Sequence, residues 1–424
     1  FGELIPNAEV IIFDEAHQLP DIASQYFGQS LTSRQLFDLC KDINIVYRTE
    51  LKDMSQLGTT ADTLLKVIQD FRLLLGEGNQ RGNWRELFKQ SAVKKSVELL
   101  QEKIEFLSEV IKIALGRSQT LDSIFERTES TKNQLIRLCD TAIVGYCYWY
   151  ESMGRQFGLH ITPLTVADKF GEQLNNKEAA WIFTSATLEV GGTFNHFCQR
   201  LGIEQAEQKI LHSPFDYPNQ SLLCVPRYLP ATNQNNTQAL GEMLLPIIEA
   251  NKGRCFVLCT SYLMMRGLAE YFRENSELSI LLQGEMPKAK LLEQFIQETH
   301  SVLVATSSFW EGVDVRGDAL SLVIIDKLPF TAPDEPLLKA RIEDCRLQGG
   351  DPFNDIQIPE AVITLKQGVG RLIRDVTDRG AVIICDNRLV MRNYGETFLK
   401  SLPNSTRTRD LNKVVQFLQN EKMD

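Results

Sequence analysis

The sequence has no long hydrophobic run and no excess of positive charge. No stretch of its 424 residues approaches the roughly 18 consecutive apolar residues that a membrane span needs. Basic residues number 45 and acidic residues 55, so the formal net charge is −10. These absences predict a protein without membrane association and argue against a nucleic-acid coat protein. A local basic groove stays compatible with this charge balance.

The cysteines lack the pairing that zinc sites use. The sequence contains nine of them, and none forms a C-x-x-C pair. Cys255 and Cys259 lie in RCFVLCT, and Cys385 lies in AVIIC. Thiols in such apolar runs are typical of buried, reduced cysteines, which predicts a cytoplasmic location. The hydrophobic content of 43% excludes a disordered chain, and the length predicts two to four domains.

Two kinds of pattern divide the chain. AEVIIF (residues 8–13) is a short apolar run that predicts a buried strand. Residues 25–175 are rich in helix formers and poor in proline, which predicts a helical region of long antiparallel hairpins. Within it lies a heptad seam, interpreted as packing inside the chain in preference to a dimer-forming coiled coil; the seam comprises Val93, Val97, Leu100, Ile104, Leu107 and Ile111.

From about residue 178, short apolar runs alternate with amphipathic helices. The predicted helices cover 238–250, 262–274 and 288–298. Strands that alternate with helices favour a mainly parallel sheet with helices on both faces, an α/β fold. The predicted strands are SLLCV, CFVLC, SILL, VLVA, LVII and AVIIC.

Asp14-Glu15-Ala16-His17 directly follows the strand VIIF. Ligands bind α/β sheets at the carboxyl ends of their strands. An aspartate there can hold Mg²⁺, usually through water, and the adjacent glutamate can orient or deprotonate the attacking water in phosphoryl transfer. The alternative interpretation is an acidic turn in which Glu15 caps a helix.

The segment QGVGRLIR (367–374) carries two arginines three residues apart, Arg371 and Arg374. This spacing predicts that both lie on one helix face. Such arginines can stabilise charge on a transferring γ-phosphate. The alternative is a surface helix with two solvated arginines.

Three further segments follow predicted strands. Thr184-Ser185-Ala186-Thr187 can link a nucleotide site to another element through its hydroxyls, or be a simple turn. SSFWEGVD (307–314) contains Trp310, which can stack on a base or lie in the core. Lys327-Leu328-Pro329-Phe330 is either a loop that faces nucleic acid or a packed turn.

Together these segments resemble the superfamily 2 helicases, specifically the XPD/DinG-type iron–sulfur helicases. The resemblance covers nearly the whole chain, and KLPFTAPDEPL (327–337) shares it. Five motifs occur in the order of that family, namely DEAH (14–17), TSATL (184–188), FVLCTSY (256–262), SSFWEGVD (307–314) and QGVGRLIR (367–374).

The resemblance implies two RecA-like P-loop NTPase motor domains with an inserted α-helical Arch domain. Residues 1–24 would be the C-terminal part of motor domain 1, and residues 25–175 would be the Arch-like insertion. The chain would return to motor domain 1 over residues 176–204, and residues 205–424 would form motor domain 2.

The resemblance also implies a site for ATP and Mg²⁺ between the motors. Asp14 would hold Mg²⁺ through water and Glu15 would activate the attacking water. His17 and Gln367 would sense the γ-phosphate, and Arg371 and Arg374 would reach across from motor domain 2. Residues implied to couple nucleotide state to motion are Thr184, Ser185, Thr187, Glu311, Gly312 and Asp314, and those implied to bind DNA are Trp310, Lys327 and Phe330.

The implied function is an ATP-dependent 5′–3′ DNA helicase that acts in repair or replication-linked processing. It would be monomeric and would move on single-stranded DNA. A replisome accessory subunit is a further implied partner, with contact expected in the C-terminal region, 405–424. The alternative is a non-catalytic module that binds single-stranded DNA or a replisome partner.

Two features of the family are missing from the sequence. It contains no G-K-[ST], the P-loop signature that binds phosphates. The four cysteines that ligate the family's [4Fe-4S] cluster are expected upstream of residue 14, so none of the nine cysteines is assigned as an iron ligand. Because DEAH, Arg371 and Arg374 are intact, and the sequence starts with Phe1 and not Met, we expect a missing N-terminal part in preference to a degenerate homologue.

Overall fold

The computed structural model describes residues 8–76, 78–176, 178–230, 237–306 and 319–419, together with Phe309 and Val315. Four residues that the sequence analysis selected lie outside this range, namely Trp310, Glu311, Gly312 and Asp314.

The elements up to the middle of the chain form two groups. The first comprises β1 (Val10–Phe13), a 3₁₀ turn (Ala16–Gln18) and α1 (Leu19–Tyr26). The second, called the insertion below, comprises β2 (Gln29–Thr32), α2 (Ser33–Thr49), α3 (Ser55–Leu74), β3 (Gln80–Asn83), α4 (Trp84–Phe88), α5 (Ser91–Lys112), α6 (Gln119–Cys139), β4 (Tyr146–Met153) and β5 (Gln156–Pro163).

The chain then continues through α7 (Ala167–Asn176), β6 (Ala180–Phe183) and α8 (Asn195–Leu201). The remaining elements, called the C-terminal domain below, are α9 (Tyr217–Gln220), β7 (Ser221–Cys224), α10 (Thr237–Ala250), β8 (Cys255–Cys259), α11 (Tyr262–Asn275), β9 (Ser279–Leu282), α12 (Lys288–Gln297), β10 (Ser301–Thr306), β11 (Leu322–Ile325), α13 (Pro336–Leu347), a π-helical turn (Phe353–Gln357), α14 (Ile358–Val369), β12 (Gly380–Ile384), α15 (Arg388–Met391), α16 (Gly395–Ser401), β13 (Thr406–Thr408) and α17 (Leu411–Gln419).

Strands β1 and β6 pair in parallel, in register from Val10 opposite Ala180 to Phe13 opposite Phe183. The rings of Phe13 and Phe183 stack at a centroid distance of 5.6 Å. Beside them, α1 and α8 bury Leu19 and Leu201 in one small core. This pairing brings together the carboxyl ends of two strands that are far apart in the sequence.

The insertion is built around its long helices. Thr32 starts α2 with a capping box, because its hydroxyl accepts a hydrogen bond from Gln35 N while the Gln35 side chain accepts one from Thr32 N. All six residues of the heptad seam on α5 are almost fully buried in the core of the insertion, which also contains Leu64 and Phe71 of α3. The interpretation of the seam as packing within the chain is therefore confirmed.

The insertion also contains a four-stranded antiparallel sheet in the order β2-β5-β4-β3. The sequence analysis predicted only helices over 25–175, and for these strands that prediction was wrong. Strands β2 and β3 have four residues each, which is too short for a period-two pattern to be recognised. The aromatic run YCYWYESM of β4 was the available signal, since tyrosine and tryptophan are enriched in strands.

In the C-terminal domain, seven described strands form one parallel sheet in the order β13-β7-β12-β11-β8-β10-β9. Its two faces lie in separate cores. Phe256 and Val323 face one core, while Val257 and Ile324 face the other. All six predicted strands are present, and the predicted α/β architecture with helices on both faces is confirmed. None of the described helices is long and apolar enough to cross a membrane.

Candidate functional site

The site begins where β1 and β6 end at the same edge of their sheet. Thr184 N donates a hydrogen bond to Phe13 O at 2.8 Å, and Ala16 N donates one to Thr184 O at 2.9 Å. The DEAH turn and the TSAT segment are thus joined through their backbones. Their side chains meet because the parallel register fixes both strand ends at one level.

Asp14 is exposed and is held by two hydrogen bonds to its Oδ1 atom. Thr184 Oγ1 donates one at 3.0 Å and Glu15 N donates the other at 2.9 Å. Among the described residues, no hydrogen bond engages Oδ2. A carboxylate oxygen in this position has the hard-donor chemistry that Mg²⁺ and its coordinated water require, so the residues present fit that ion.

Glu15 has a left-handed backbone conformation, with φ 49° and ψ 40°. Such a conformation in a non-glycine residue costs roughly 1–3 kcal/mol and is found mostly at functional sites. The alternative in which its side chain caps a helix is not what the structure shows, since that side chain makes no cap hydrogen bond. The Glu15 carboxylate instead accepts a hydrogen bond from Ser185 Oγ at 3.1 Å.

A chain of hydrogen bonds runs from the C-terminal domain into this turn. Gln367 Nε2 lies 2.7 Å from His17 Nε2, and His17 Nδ1 lies 2.9 Å from Ser185 Oγ. Because an amide nitrogen only donates, His17 Nε2 is the acceptor in this contact, which leaves Nδ1 to donate to Ser185 Oγ. The donors then run in one direction, from Gln367 through His17 and Ser185 to Glu15. Thr187 N also donates to Ser185 Oγ, at 3.1 Å.

The structure corrects the prediction for the two arginines. Helix α14 carries Gln367 but ends at Val369, so Arg371 and Arg374 follow the helix and do not share a helix face. QGVGR contains two glycines, and Gly370 is the C-cap residue of α14; because glycine is a poor helix former, the helix ends before the arginines. The turn that follows is fixed by Asp378, whose Oδ2 accepts a hydrogen bond from Arg374 N at 2.7 Å.

Arg374 nevertheless lies on the same cleft as the TSAT segment. The cleft has a volume of about 2210 Å³ and lies between β6 with the residues after it and the C-terminal domain. Its lining includes Thr184, Ser185 and Thr187 on one side and Gly370 and Arg374 on the other.

Glu189 and Lys366 form a second connection across this cleft, which the sequence analysis missed. Lys366 Nζ lies 2.8 Å from Glu189 Oε2 and donates to Glu189 O at 2.9 Å. Both side chains are largely buried. The available signal was their position, because Glu189 directly follows TSATL and Lys366 directly precedes Gln367.

At the carboxyl ends of β11 and β12, Asp326 and Asp386 organise the loop that contains Lys327. Thr260 donates to Asp326 through N and Oγ1, at 2.8 and 3.0 Å, while Leu328 N donates to Asp386 at 2.9 Å. Burial raises the pKa of Asp326 to about 6. The sequence analysis did not select either aspartate. Lys327, which follows Asp326 in the segment that the sequence analysis related to nucleic-acid binding, is half-buried.

Phe330 lies within a cluster of aromatic rings. Its ring centroid is 5.7 Å from that of Phe353, 6.0 Å from that of Tyr394 and 5.9 Å from that of Phe398. This packing corresponds to the packed-turn alternative for the segment that contains Phe330.

Six of the nine cysteines are buried thiols. Cys255, Cys259 and Cys385 are buried in the core of the C-terminal domain, as predicted. Burial raises the pKa of Cys40 and of Cys224 to about 12, which keeps these thiols protonated. Within the described part of the chain, no group of three or more His, Cys, Asp or Glu residues is placed to hold a metal ion.

Comparison with known proteins relates these features to helicases. Residues 244–405 match the family model described as the helicase C-terminal domain. The solved structure of Xpd4 from S. tokodaii superposes with a TM-score of 0.55 at 17% identity, covering 94% of this chain and 75% of that one. At this identity the likeness establishes the fold, which is that of the RecA-like helicase motors.

The chain belongs to the XPD/DinG-type helicase family. It is 89% identical over 423 residues to the ATP-dependent DNA helicase YoaA of Haemophilus influenzae, and 62% identical over 419 residues to that of Escherichia coli K12. Each match covers 99% of this chain and 66% of the relative. The chain therefore spans about two thirds of the length of the curated relatives it matches.

Proposed function

We propose that the protein to which this chain belongs is an ATP-dependent DNA helicase that moves 5′ to 3′ along single-stranded DNA. The observation that carries the proposal is the chain of hydrogen bonds from Gln367 through His17 and Ser185 to Glu15. It joins a predicted phosphate sensor of one domain to the predicted catalytic carboxylate of the other. Such a connection is what a motor needs if nucleotide state is to control domain position.

The DEAH turn would contribute the chemistry of hydrolysis. Mg²⁺, when bound, would neutralise charge on the phosphates. Asp14 would hold a water of that ion, and its Oδ1 atom is fixed by Thr184. Glu15 would orient the attacking water and accept its proton, and the hydrogen bond from Ser185 would hold the carboxylate in place.

The C-terminal domain would complete the ATP site and move relative to it. Arg371 and Arg374 would supply positive charge opposite the transferring phosphoryl group. Gln367 would contact His17 in the closed state and separate from it in the open state. Alternation between these states, driven by their different contacts with ATP, would advance the motor along DNA.

Further parts of the proposal concern organisation and partners. We assign residues 1–24 and 176–204 to motor domain 1, 25–175 to the Arch-like insertion and 205–424 to motor domain 2. Lys327 would bind DNA at the carboxyl edge of the second sheet. The [4Fe-4S] cluster would belong to the full-length protein and be ligated outside this chain, and the protein would act as a monomer with a replisome accessory partner.

The test joins this chain to the part of the H. influenzae relative that it does not match. DNA-stimulated ATP hydrolysis is measured for the chimera and for Glu15→Gln and Arg374→Ala variants. We expect each substitution to lower kcat by about 100-fold or more, because each removes a group that acts on the transferring phosphoryl or its nucleophile.

Glu285→Gln and Arg273→Ala are the matched controls. These residues form an exposed ion pair at 2.7 Å on α11 and after β9, away from the cleft. Both control variants should hydrolyse ATP at the wild-type rate. Wild-type turnover in Glu15→Gln and in Arg374→Ala would refute the mechanism.

The absence of G-K-[ST] favours a second candidate, in which this chain alone is a DNA-binding module. The isolated chain should then bind single-stranded oligonucleotides without hydrolysing ATP, with an affinity that falls steeply between about 50 and 200 mM salt. Lys327→Gln should reduce the slope of log affinity against log salt concentration by about one. Lys413 is exposed on α17, and Lys413→Gln should leave this slope unchanged. Absent or salt-independent binding would argue against a DNA role.

A further inference from the structure

Helix α13 of the C-terminal domain contacts the sheet of the insertion at its first turn. Glu335 Oε2 accepts a hydrogen bond from Leu338 N at 2.6 Å and so caps the helix. The other oxygen of Glu335 lies 3.5 Å from Arg81 Nη2 on β3. Beside this pair, Cys147 Sγ of β4 donates to Pro336 O at 3.5 Å. Two strands of the insertion are thus attached to the start of α13.

The insertion side of this contact is a stacked group. The guanidinium of Arg81 lies 4.2 Å from the centroid of the Trp149 ring, and the other partner of that ring is His160, at a centroid distance of 3.9 Å. Trp149 Nε1 also donates to Thr162 at 3.0 Å. Because planar groups in contact restrict each other, Arg81 is held in the orientation that meets Glu335.

Further along α13, Arg341 enters a cluster of four charges. Its guanidinium lies 3.5 Å from Asp21 Oδ1 on α1 and 3.5 Å from Glu360 Oε1 on α14. Arg200 of α8 lies 2.6 Å from the same Asp21 oxygen and 4.0 Å from the same Glu360 oxygen. Two cations and two anions from four helices therefore balance each other where only 13% of the Arg341 side chain is exposed.

This cluster and the contact between His17 and Gln367 join the same two parts of the chain. His17 lies in the 3₁₀ turn directly before α1, four residues ahead of Asp21, while Glu360 and Gln367 both lie on α14, about two turns apart. A cavity of about 440 Å³ is bordered by His17, Gln367 and the charged cluster together. A shift of α1 relative to α14 would therefore change both contacts at once.

We propose that α13 is a positioning element that transmits the position of the insertion sheet to the contact between His17 and Gln367. Glu335 contacts the insertion through its ion pair with Arg81, and Arg341 links α1 to α14 through its ion pairs with Asp21 and Glu360. The inference goes beyond the proposed helicase activity, because it concerns a mechanical connection that exists in this chain with or without ATP hydrolysis.

Hydrogen–deuterium exchange of the chain itself tests the connection. Arg81→Met removes the ion pair with Glu335 at a half-exposed position, where the variant is expected to fold. We expect exchange to quicken by about threefold both at the start of α13 and over residues 16–26. Arg273→Met is the matched control, because it breaks an arginine–glutamate pair that lies within the C-terminal domain and away from α13.

A second variant separates transmission from local loosening. Arg341→Lys keeps the positive charge but loses the planar guanidinium that reaches both Asp21 and Glu360. Because the link between α1 and α14 is then weaker, hydrogen exchange over residues 16–26 and 358–369 should quicken. If both substitutions act along one route, adding Arg81→Met to Arg341→Lys should produce no additional change over residues 16–26. The proposal is overturned if Arg81→Met leaves residues 16–26 at the wild-type rate, or if the two effects on that segment simply add.

Discussion

At the scale of single residues, the carboxylates at the ends of strands differ sharply in environment. Asp14 follows β1 and is exposed, whereas Asp326 follows β11 and is 2% exposed. Two hydrogen bonds from Thr260 favour the ionised form of Asp326, but burial outweighs them and raises the pKa to about 6. Its charge therefore changes within a pH range in which an exposed aspartate stays ionised.

Asp326→Asn should change how stability depends on pH. Between about pH 4 and 6, Asp326 is protonated in the native state of the wild type but ionised in the unfolded state. The stability of the wild type therefore falls as pH rises through that window. Asparagine does not titrate, so this contribution of Asp326 to the pH dependence is absent from the variant. The stability of the variant relative to the wild type should increase by up to about 3 kcal/mol over the window and then stay constant. Urea unfolding at a series of pH values measures this difference.

Glu270→Gln serves as the control for that measurement, because it removes an exposed carboxylate of the same domain. Its pH profile should run parallel to that of the wild type. Parallel profiles for Asp326→Asn and the wild type would contradict the assignment of a buried, proton-binding carboxylate.

The sequence identified several residues of the site because they follow strands of strong apolar character. Asp14, Glu15, His17 and Ser185 were selected in this way, and the structure brings them together with Gln367. Their catalytic roles stay predictions. Asp326 was missed because one aspartate after an apolar run looks the same whether it faces solvent or accepts hydrogen bonds from a neighbouring loop.

At the scale of elements, α5 shows how a heptad pattern specifies one buried face. Leu100 belongs to the seam and is fully buried, whereas Leu99 beside it is 40% exposed. The core of the insertion forms when this face packs against α3 and α6. The pattern was recognisable because it repeats along most of a 22-residue helix, whereas the four-residue strands β2 and β3 depend on partners distant in the sequence.

Leu100→Ala and Leu99→Ala should therefore differ although they make the same change to adjacent residues. Truncation at Leu100 leaves a cavity and should lower the free energy of unfolding by about 2–5 kcal/mol. Truncation at Leu99 should cost less than about 1 kcal/mol, because water already reaches that side chain. Unfolding in urea measures both, and equal losses would mean that α5 does not present the seam to the core.

At the scale of the whole molecule, the segment after β6 is held by two domains. Thr184 is bonded to β1 through its backbone, while Glu189 pairs with Lys366 and Gly191 N donates to Ser401 Oγ at 2.9 Å. The ion pair is 11% exposed at Lys366 and 19% at Glu189, so neither charge is well solvated if its partner is lost.

Lys366→Met should destabilise the protein by about 1–3 kcal/mol, because it leaves the Glu189 carboxylate buried without a cation. Lys400→Met is the control, since Lys400 pairs with Glu396 at 2.9 Å on an exposed helix surface, where solvent screens the pair, and its loss should change the free energy of unfolding much less. Urea unfolding followed by tryptophan fluorescence measures both. A loss at Lys366 no larger than that at Lys400 would show that the pair does not hold the domains together.

The pairing of β2 with β5 has a consequence for how the protein can be varied. Gln29 lies opposite Ile161, so the insertion begins and ends on neighbouring strands. Whatever is enclosed between two such adjacent ends can be lengthened, shortened or exchanged while β1 and β6 keep their register. The closure entropy of a longer segment rises by only about 0.6 kcal/mol for each doubling of its length. We therefore expect that a different segment grafted at this pair of strands would leave the rest of the chain folded.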